Sequence, residues 1–238
     1  MESIDAIDIR HYRRPLDSPF HASWDPTPRR GHATTVVRVR AGDREGVGAG
    51  DAMLGFAGHE HLFLGQSPLA IERHVAILDN LQFHYGRMWP LEVALWDLIG
   101  QITGQPLWQL LGGNEPTVRL YASTGQRLEK AERVAAILRL QAEGFTAVKL
   151  RFFHDDPRDD LAVVAAARAA APDLTLLCDA NQAWRMPWDI RPAWDYKTAL
   201  RVADALAELD VFWLEEPLHR HDYAGLAALR RRSRVRIA

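Results

Sequence analysis

The sequence predicts an α/β protein in two parts: an N-terminal α+β domain over residues 1–114, then a run of βα repeats over residues 115–238 that builds a parallel sheet. Three observations predict it. The stretch ATTVVRVR (33–40) has the β-branched alternation of a sheet strand. The stretch PLEVALWDLIGQITGQPLWQLLGG (90–113) carries apolar residues at helical spacing up to a Gly112-Gly113 stop. After Val118, short apolar runs alternate with helical ones, the rhythm of a parallel sheet, either open and doubly wound or closed as a (β/α) barrel.

In order, residues 4–12 and 33–40 read as strands, with AGDREG (41–46) supplying turn chemistry for a small antiparallel sheet. Ser67 is placed to cap a helix over PLAIERHVAILDNL. The glycines of GVGAG (46–50) read as strand-end or turn residues, because they lack the order and the following helix of a dinucleotide loop. Past Asn114, strands are expected at 118–123, 146–152, 174–179, 211–215 and 235–238, and helices near 129–142, 158–171, 196–209 and 222–232.

Composition narrows the function. With 47% hydrophobic residues among 238, the chain can bury a large core. Its 29 basic and 31 acidic residues leave a formal charge of -2, too small and too dispersed for a nucleic-acid or membrane surface, so a small partner is expected. One cysteine, Cys178, excludes an internal disulfide and suits a reducing cytoplasm; the N-terminus lacks a signal-peptide core. By strand alternation the Cys178 thiol faces the helices as a buried, inert group.

The strand ends carry the chemistry. In TAVKLRF, Lys149 and Arg151 share one face and Val148, Leu150 and Phe152 the other. The next strand ends at Asp179, with Asn181 just beyond, and the third at Glu215. A cation from 149, an acid from 179 and an acid from 215 are expected at one level of one rim, the mouth where a barrel keeps its active site. Oxygen donors from several strand ends suit a hard divalent cation; a helix cap at Asp179 and a rim salt bridge from Glu215 to Arg151 are the structural alternative.

Three features together resemble the enolase superfamily, in its mandelate racemase and muconate-lactonising branch: ALWDLIGQITGQPLWQLLGG, then VKLR with DANQAW about thirty residues on, then WLEEP followed by HDY. The resemblance implies an N-terminal capping domain before a (β/α)8 TIM-type barrel, of which this sequence spans the first half. It implies an enzyme that abstracts the proton α to a carboxylate and stabilises the enediolate on Mg2+, with a Lys or His base. By resemblance Asp179 and Glu215 are metal ligands, Asn181 lies beside the metal or on the substrate, and Glu216 supports the site. Where the branch often has Lys-x-Lys, this sequence has Lys149-Leu150-Arg151. Arginine is a poor base and a good carboxylate clamp, so both cations are expected to act as electrostatic stabilisers, with Lys149 keeping the smaller claim as base.

That replacement tilts the expected reaction toward dehydration of a sugar acid or hydroxy acid, with racemisation, epimerisation or cycloisomerisation as alternatives. A non-catalytic fragment is the rival of another class. A closed barrel occupies roughly 250 residues, so the sequence is expected to belong to a longer enzyme or a truncated product that pairs with another copy; a homo-oligomer is expected. In the branch, loops near positions 15–30 and 50–60 select substrate, making His21, Trp24 and His59 contact candidates. Trp184, Arg185 and Trp188 in the loop WRMPWDIRPAW are further ones, with packing as the competing reading. His61, His219 and His221 read as surface or cap residues.

Overall fold

The structure, a computed structural model, describes residues 2–238 and resolves into two compact units. The first comprises the described residues up to Asp17 with Arg30–Val118, the second Ser18–Arg29 with Arg119–Ala238. No helix among the described residues is long and apolar enough to cross a membrane.

Strands β1 (Ala6–Phe20), β2 (Arg29–Ala41) and β3 (Arg44–Gly50) lie in that order in one sheet. β2 and β3 pair antiparallel from Thr35↔Gly50 to Ala41↔Arg44 across a turn in which Gly42 takes φ 62°. Helices α1 (Ile71–Tyr85) and α2 (Trp89–Thr103) cover the first unit's core, where Val37, Val39, Phe56, Phe63, Leu91 and Leu95 are fully buried. Of the glycines of GVGAG, Gly50 ends β3 as expected, but Gly46 and Gly48 lie within the strand, on the face that meets α2. A Cβ on Gly46 would lie 2.1 Å from the Ala94 carbonyl oxygen, and one on Gly48 2.0 Å from that of Pro90. Backbone proximity, not turn geometry, demands glycine there.

Two other expectations shift. Helix α1 begins at Ile71 with Ala70 as its N-cap, while the Ser67 hydroxyl accepts from Leu69 N at 3.3 Å and so shapes the preceding turn. The long helical stretch divides: α2 ends where Gly104 turns left-handed at φ 65°, and past Pro106 the single turn α3 (Leu107–Leu110) follows.

The second unit is a five-stranded parallel sheet, β4 (Ala122–Ser123), β5 (Ala147–Arg151), β6 (Thr175–Asp179), β7 (Trp213–Glu215) and β8 (Arg236–Ile237), hydrogen-bonded in chain order. Between them run α4 (Lys130–Ala142), α5 (Pro157–Ala170), α6 (Tyr196–Glu208) and α7 (Tyr223–Arg232). Strict sequential order has no reversal point, so this is barrel-type winding and not the doubly wound alternative. Helices α5, α6 and α7 start at aspartate caps, Asp156, Asp195 and Asp222, whose carboxylates accept from Arg158 N, Thr198 N and Gly225 N. The expected strand at 118–123 shrinks to two residues. Ala122 pairs with Val148, one residue into β5, so residues 118–120 fall ahead of any partner, and Val118 and Leu120 stay exposed.

Candidate active site

Alternation divides the parallel sheet as the sequence indicates. Val148, Leu150, Leu176, Cys178 and Leu214 pack into the core with the helices, and Cys178 is a buried free thiol that burial pushes well above its ordinary range. The opposite parity carries Lys149, Arg151, Asp179 and Glu215. Register makes Arg151, Asp179 and Glu215 one row, since Arg151 pairs with Asp179 and Asp179 with Glu215. Lys149 is not at that level: it pairs with Leu177, one pleat lower, and its long side chain makes up the difference.

The cations close on the acids. Lys149 Nζ donates to both Glu215 carboxylate oxygens at 2.8 Å, lies 3.6 Å from Asp179 Oδ2, and sits 5.5 Å from the centre of the Tyr121 ring. Arg151 Nη1 donates to Asp179 Oδ2 at 2.6 Å and to Asn181 Oδ1 at 3.2 Å. The side chains of Lys149 and Asp179 are buried, with 4% and 1% of their surface exposed, whereas Glu215 keeps 25%. Burial raises the Asp179 pKa, while Arg151 and the Asn181 amide pull it down, and Glu215 adds to the rise. The sheet thus holds a carboxylate short of full compensation.

Both acidic strands leave the sheet through a left-handed residue, Asn181 at φ 52° and Glu216 at φ 50°. Such a backbone is costly for a non-glycine side chain and is held here by the surroundings. Asn181 N donates to Asp179 Oδ1 at 2.9 Å and Asn181 Nδ2 to Phe152 O at 3.0 Å; Gln182 N donates to Glu216 O at 2.9 Å. Burial raises the Glu216 carboxyl pKa, helped by Asp179 and Glu215, against a hydrogen bond from the Trp184 side chain.

Residues 18–29 belong to this unit, and they deliver Trp24 to the row, its ring 4.9 Å from the Arg151 guanidinium carbon. Ser23 N and Arg127 Nε bind Gly125 O and Ala22 O to hold the segment, and Trp188 Nε1 donates to Asp25 Oδ1 at 3.0 Å. His21 is exposed; its carbonyl accepts from Arg127 N, and no hydrogen bond or ring contact among the described residues joins it to the row. His59 lies in the first unit, its ring 4.8 Å from Tyr85 and Nδ1 3.1 Å from Phe56 O. His61 Nδ1 meets Gly58 O, and the His219 and His221 rings lie 5.3 Å apart on the loop after Glu216. Arg185 and Arg191 share Asp189. Sequence reasoning did not single out Tyr121 beside Lys149, or the His154–Asp160 pair, although HDDPRDD placed an acid six residues past a histidine.

Asp179 and Glu215, with Asn181 beside them, are the residues able to hold a hard cation, a donor set of oxygens that suits Mg2+. No third His, Cys, Asp or Glu among the described residues completes a larger metal cluster with them.

Comparison with known proteins bears on this arrangement. Residues 131–238 match the enolase C-terminal domain-like family. A 3,6-anhydro-α-L-galactonate cycloisomerase from Streptomyces coelicolor is 35% identical over 62% of this chain and 39% of its own length. An L-talarate/galactarate dehydratase from Salmonella typhimurium is 29% identical over 59% of this chain and 33% of its own. The chain thus aligns with well under half of these curated relatives. The crystal structure of a Streptomyces coelicolor racemase with bound magnesium superposes with a TM-score of 0.83 at 28% identity, covering 98% of this chain and 68% of that one.

Proposed function

As the chain belongs to the enolase superfamily, in its mandelate racemase and muconate-lactonising branch, we propose that it forms part of an Mg2+-dependent enzyme that removes the proton α to the carboxylate of a sugar acid or hydroxy acid, and that the reaction is dehydration. The observation that carries the reading is the in-register row Arg151, Asp179 and Glu215 with Lys149 reaching it from below. Asp179 and Glu215 would hold the metal, which when bound supplies Lewis-acid polarisation of the substrate carboxylate.

The chain's own residues supply the rest. The planar guanidinium of Arg151 clamps the substrate carboxylate and keeps its charge throughout, so it takes no part in proton transfer. Lys149, buried beneath the row, offsets negative charge as it grows toward the transition state, in a setting screened from water where that effect is large. It is also the one cation of the pair able to give up its proton and serve as base. Trp24, its ring 4.9 Å from the Arg151 guanidinium carbon, shields that clamp from solvent. Glu216 supports the ligand next to it. With Arg151 standing where the branch often has a second lysine, loss of a β-hydroxyl after proton removal fits better than two-base racemisation. A second reading, cycloisomerisation through the same proton abstraction, has the 35% identical cycloisomerase in its favour.

Screening the complete protein against acid sugars and hydroxy acids tests the proposal. Turnover should require Mg2+, cease with chelator, and be lost in Asp179→Ala and Glu215→Ala variants that keep the wild-type circular dichroism. Full activity in either variant, or turnover indifferent to chelation, overturns it.

A further inference from the structure

We propose that His154, held by Asp160, determines specificity in a side cleft that receives the neutral, hydroxylated tail of the acid substrate. The proposal rests on the α-proton-abstraction reading above and adds the class of molecule, a polyhydroxylated chain with one carboxylate.

The pair is built by the turn from β5 into α5. Asp160 is 3% exposed in the first turn of α5, and its carboxylate accepts from Phe153 N at 3.2 Å, His154 N at 3.1 Å and His154 Nδ1 at 2.8 Å. With Nδ1 engaged by Asp160, Nε2 is the ring nitrogen left to meet a hydroxyl, a group that can donate to it or accept from it. The ring is also stacked on Phe153, with centroids 4.1 Å apart. It is held from two sides.

His154 lines a cleft of about 930 Å³ within the second unit, a size typical of small-molecule sites. The cleft opens beside the row: Asn181 lines it while its Oδ1 accepts from Arg151, and Trp24 lines it while covering Arg151. A ligand whose carboxylate meets Arg151 therefore extends past Asn181 into the cleft. The walls say what the tail is. Four arginines and four aspartates line the cleft: Arg158 pairs with Asp156, and Arg185 and Arg191 share Asp189, with Asp155 4.0 Å from Arg191. Hydrogen bonds from Thr198, and after them the charge of Arg201, lower the Asp195 pKa. The walls balance and carry no net charge to favour a second carboxylate. Trp24, Trp184 and Trp194 offer apolar faces on which the C–H side of a sugar chain can lie.

Calorimetric binding to the complete protein in Mg2+ tests this with three probes: a six-carbon aldonate, its dicarboxylate counterpart, and lactate as a tail-less acid. The aldonate should bind at least tenfold tighter than lactate, and the dicarboxylate no tighter than the aldonate. His154→Phe, and His154→Asn, which keeps an N–H for Asp160 but removes Nε2, should each weaken aldonate binding about tenfold while leaving lactate unchanged. Unchanged lactate affinity also shows that the variants fold. Equal binding of aldonate and lactate, a dicarboxylate preference, or aldonate affinity indifferent to both variants overturns the subsite alone. Failure of every acid to bind overturns the functional reading, and the subsite with it.

Discussion

The two units use their sheets in opposite ways. In the first, β3 presents glycines at 46 and 48 so that α2 can approach the backbone, and the α2 residues that meet them, Ala94 and Leu98, are apolar and buried. In the second, the face opposite the helices carries buried Lys149 and Asp179 in place of apolar residues. A buried ion pair is often no more stable than well-packed hydrophobic residues of the same volume. The first sheet is therefore optimised for contact, and the second keeps charges that contact does not explain. The difference teaches where to look for chemistry: at the polar residues whose removal should cost the fold less than the function.

Four substitutions test that contrast, from the largest expected effect to the smallest. Asp179→Asn should lower turnover of the complete protein at least a thousandfold, on the order of 4 kcal/mol in transition-state stabilisation, in steady-state assays with Mg2+. A variant that merely melts earlier and turns over normally when folded would place Asp179 with the first sheet. Gly48→Ala should do the reverse, since its Cβ would clash with the Pro90 carbonyl: a loss of about 3 kcal/mol in urea unfolding, with unchanged turnover per folded molecule.

The third substitution is a pH test. The Arg191 hydrogen bond holds the Asp189 carboxyl at about 2, below its ordinary 3.8. A depressed folded pKa adds stability that is present above pH 3.8 and is lost as pH falls toward 2, here up to about 2 kcal/mol. Asp189→Asn should flatten the melting profile across that window; an unchanged slope contradicts the pairing. Asp222→Ala, which removes the α7 cap, should cost about 1 kcal/mol of stability and none of the turnover.

Much of the second unit was legible because alternation is a local property: Lys149, Arg151, Asp179 and Glu215 fall on one face wherever the strands pair. Register is not local. Nothing in the sequence says that Ala122 meets Val148, which cuts β4 to two residues and sets Lys149 a pleat below the acids. Ser67 suits a cap by type yet serves the turn before α1, while the caps of α5, α6 and α7 fall to Asp156, Asp195 and Asp222, which the sequence left unmarked. Gly46 and Gly48 were misread because close backbone approach depends on a helix some forty residues later in the chain. The resemblance named Trp24, but only the placement of residues 18–29 in the second unit puts its ring on Arg151. His154 and Asp160 went unmarked because one is a surface-like residue until the other is known to be buried.

The central claim is that this rim removes a proton from the carbon next to a carboxylate. Proton NMR of an acid-sugar mixture in D2O, with the complete protein and Mg2+, reads that event directly. The α-carbon proton signal of at least one acid should disappear, by exchange or elimination, at a rate at least a thousandfold lower in Asp179→Asn. Retention of every α-proton with the wild-type protein, or equal loss with the variant, would contradict the account.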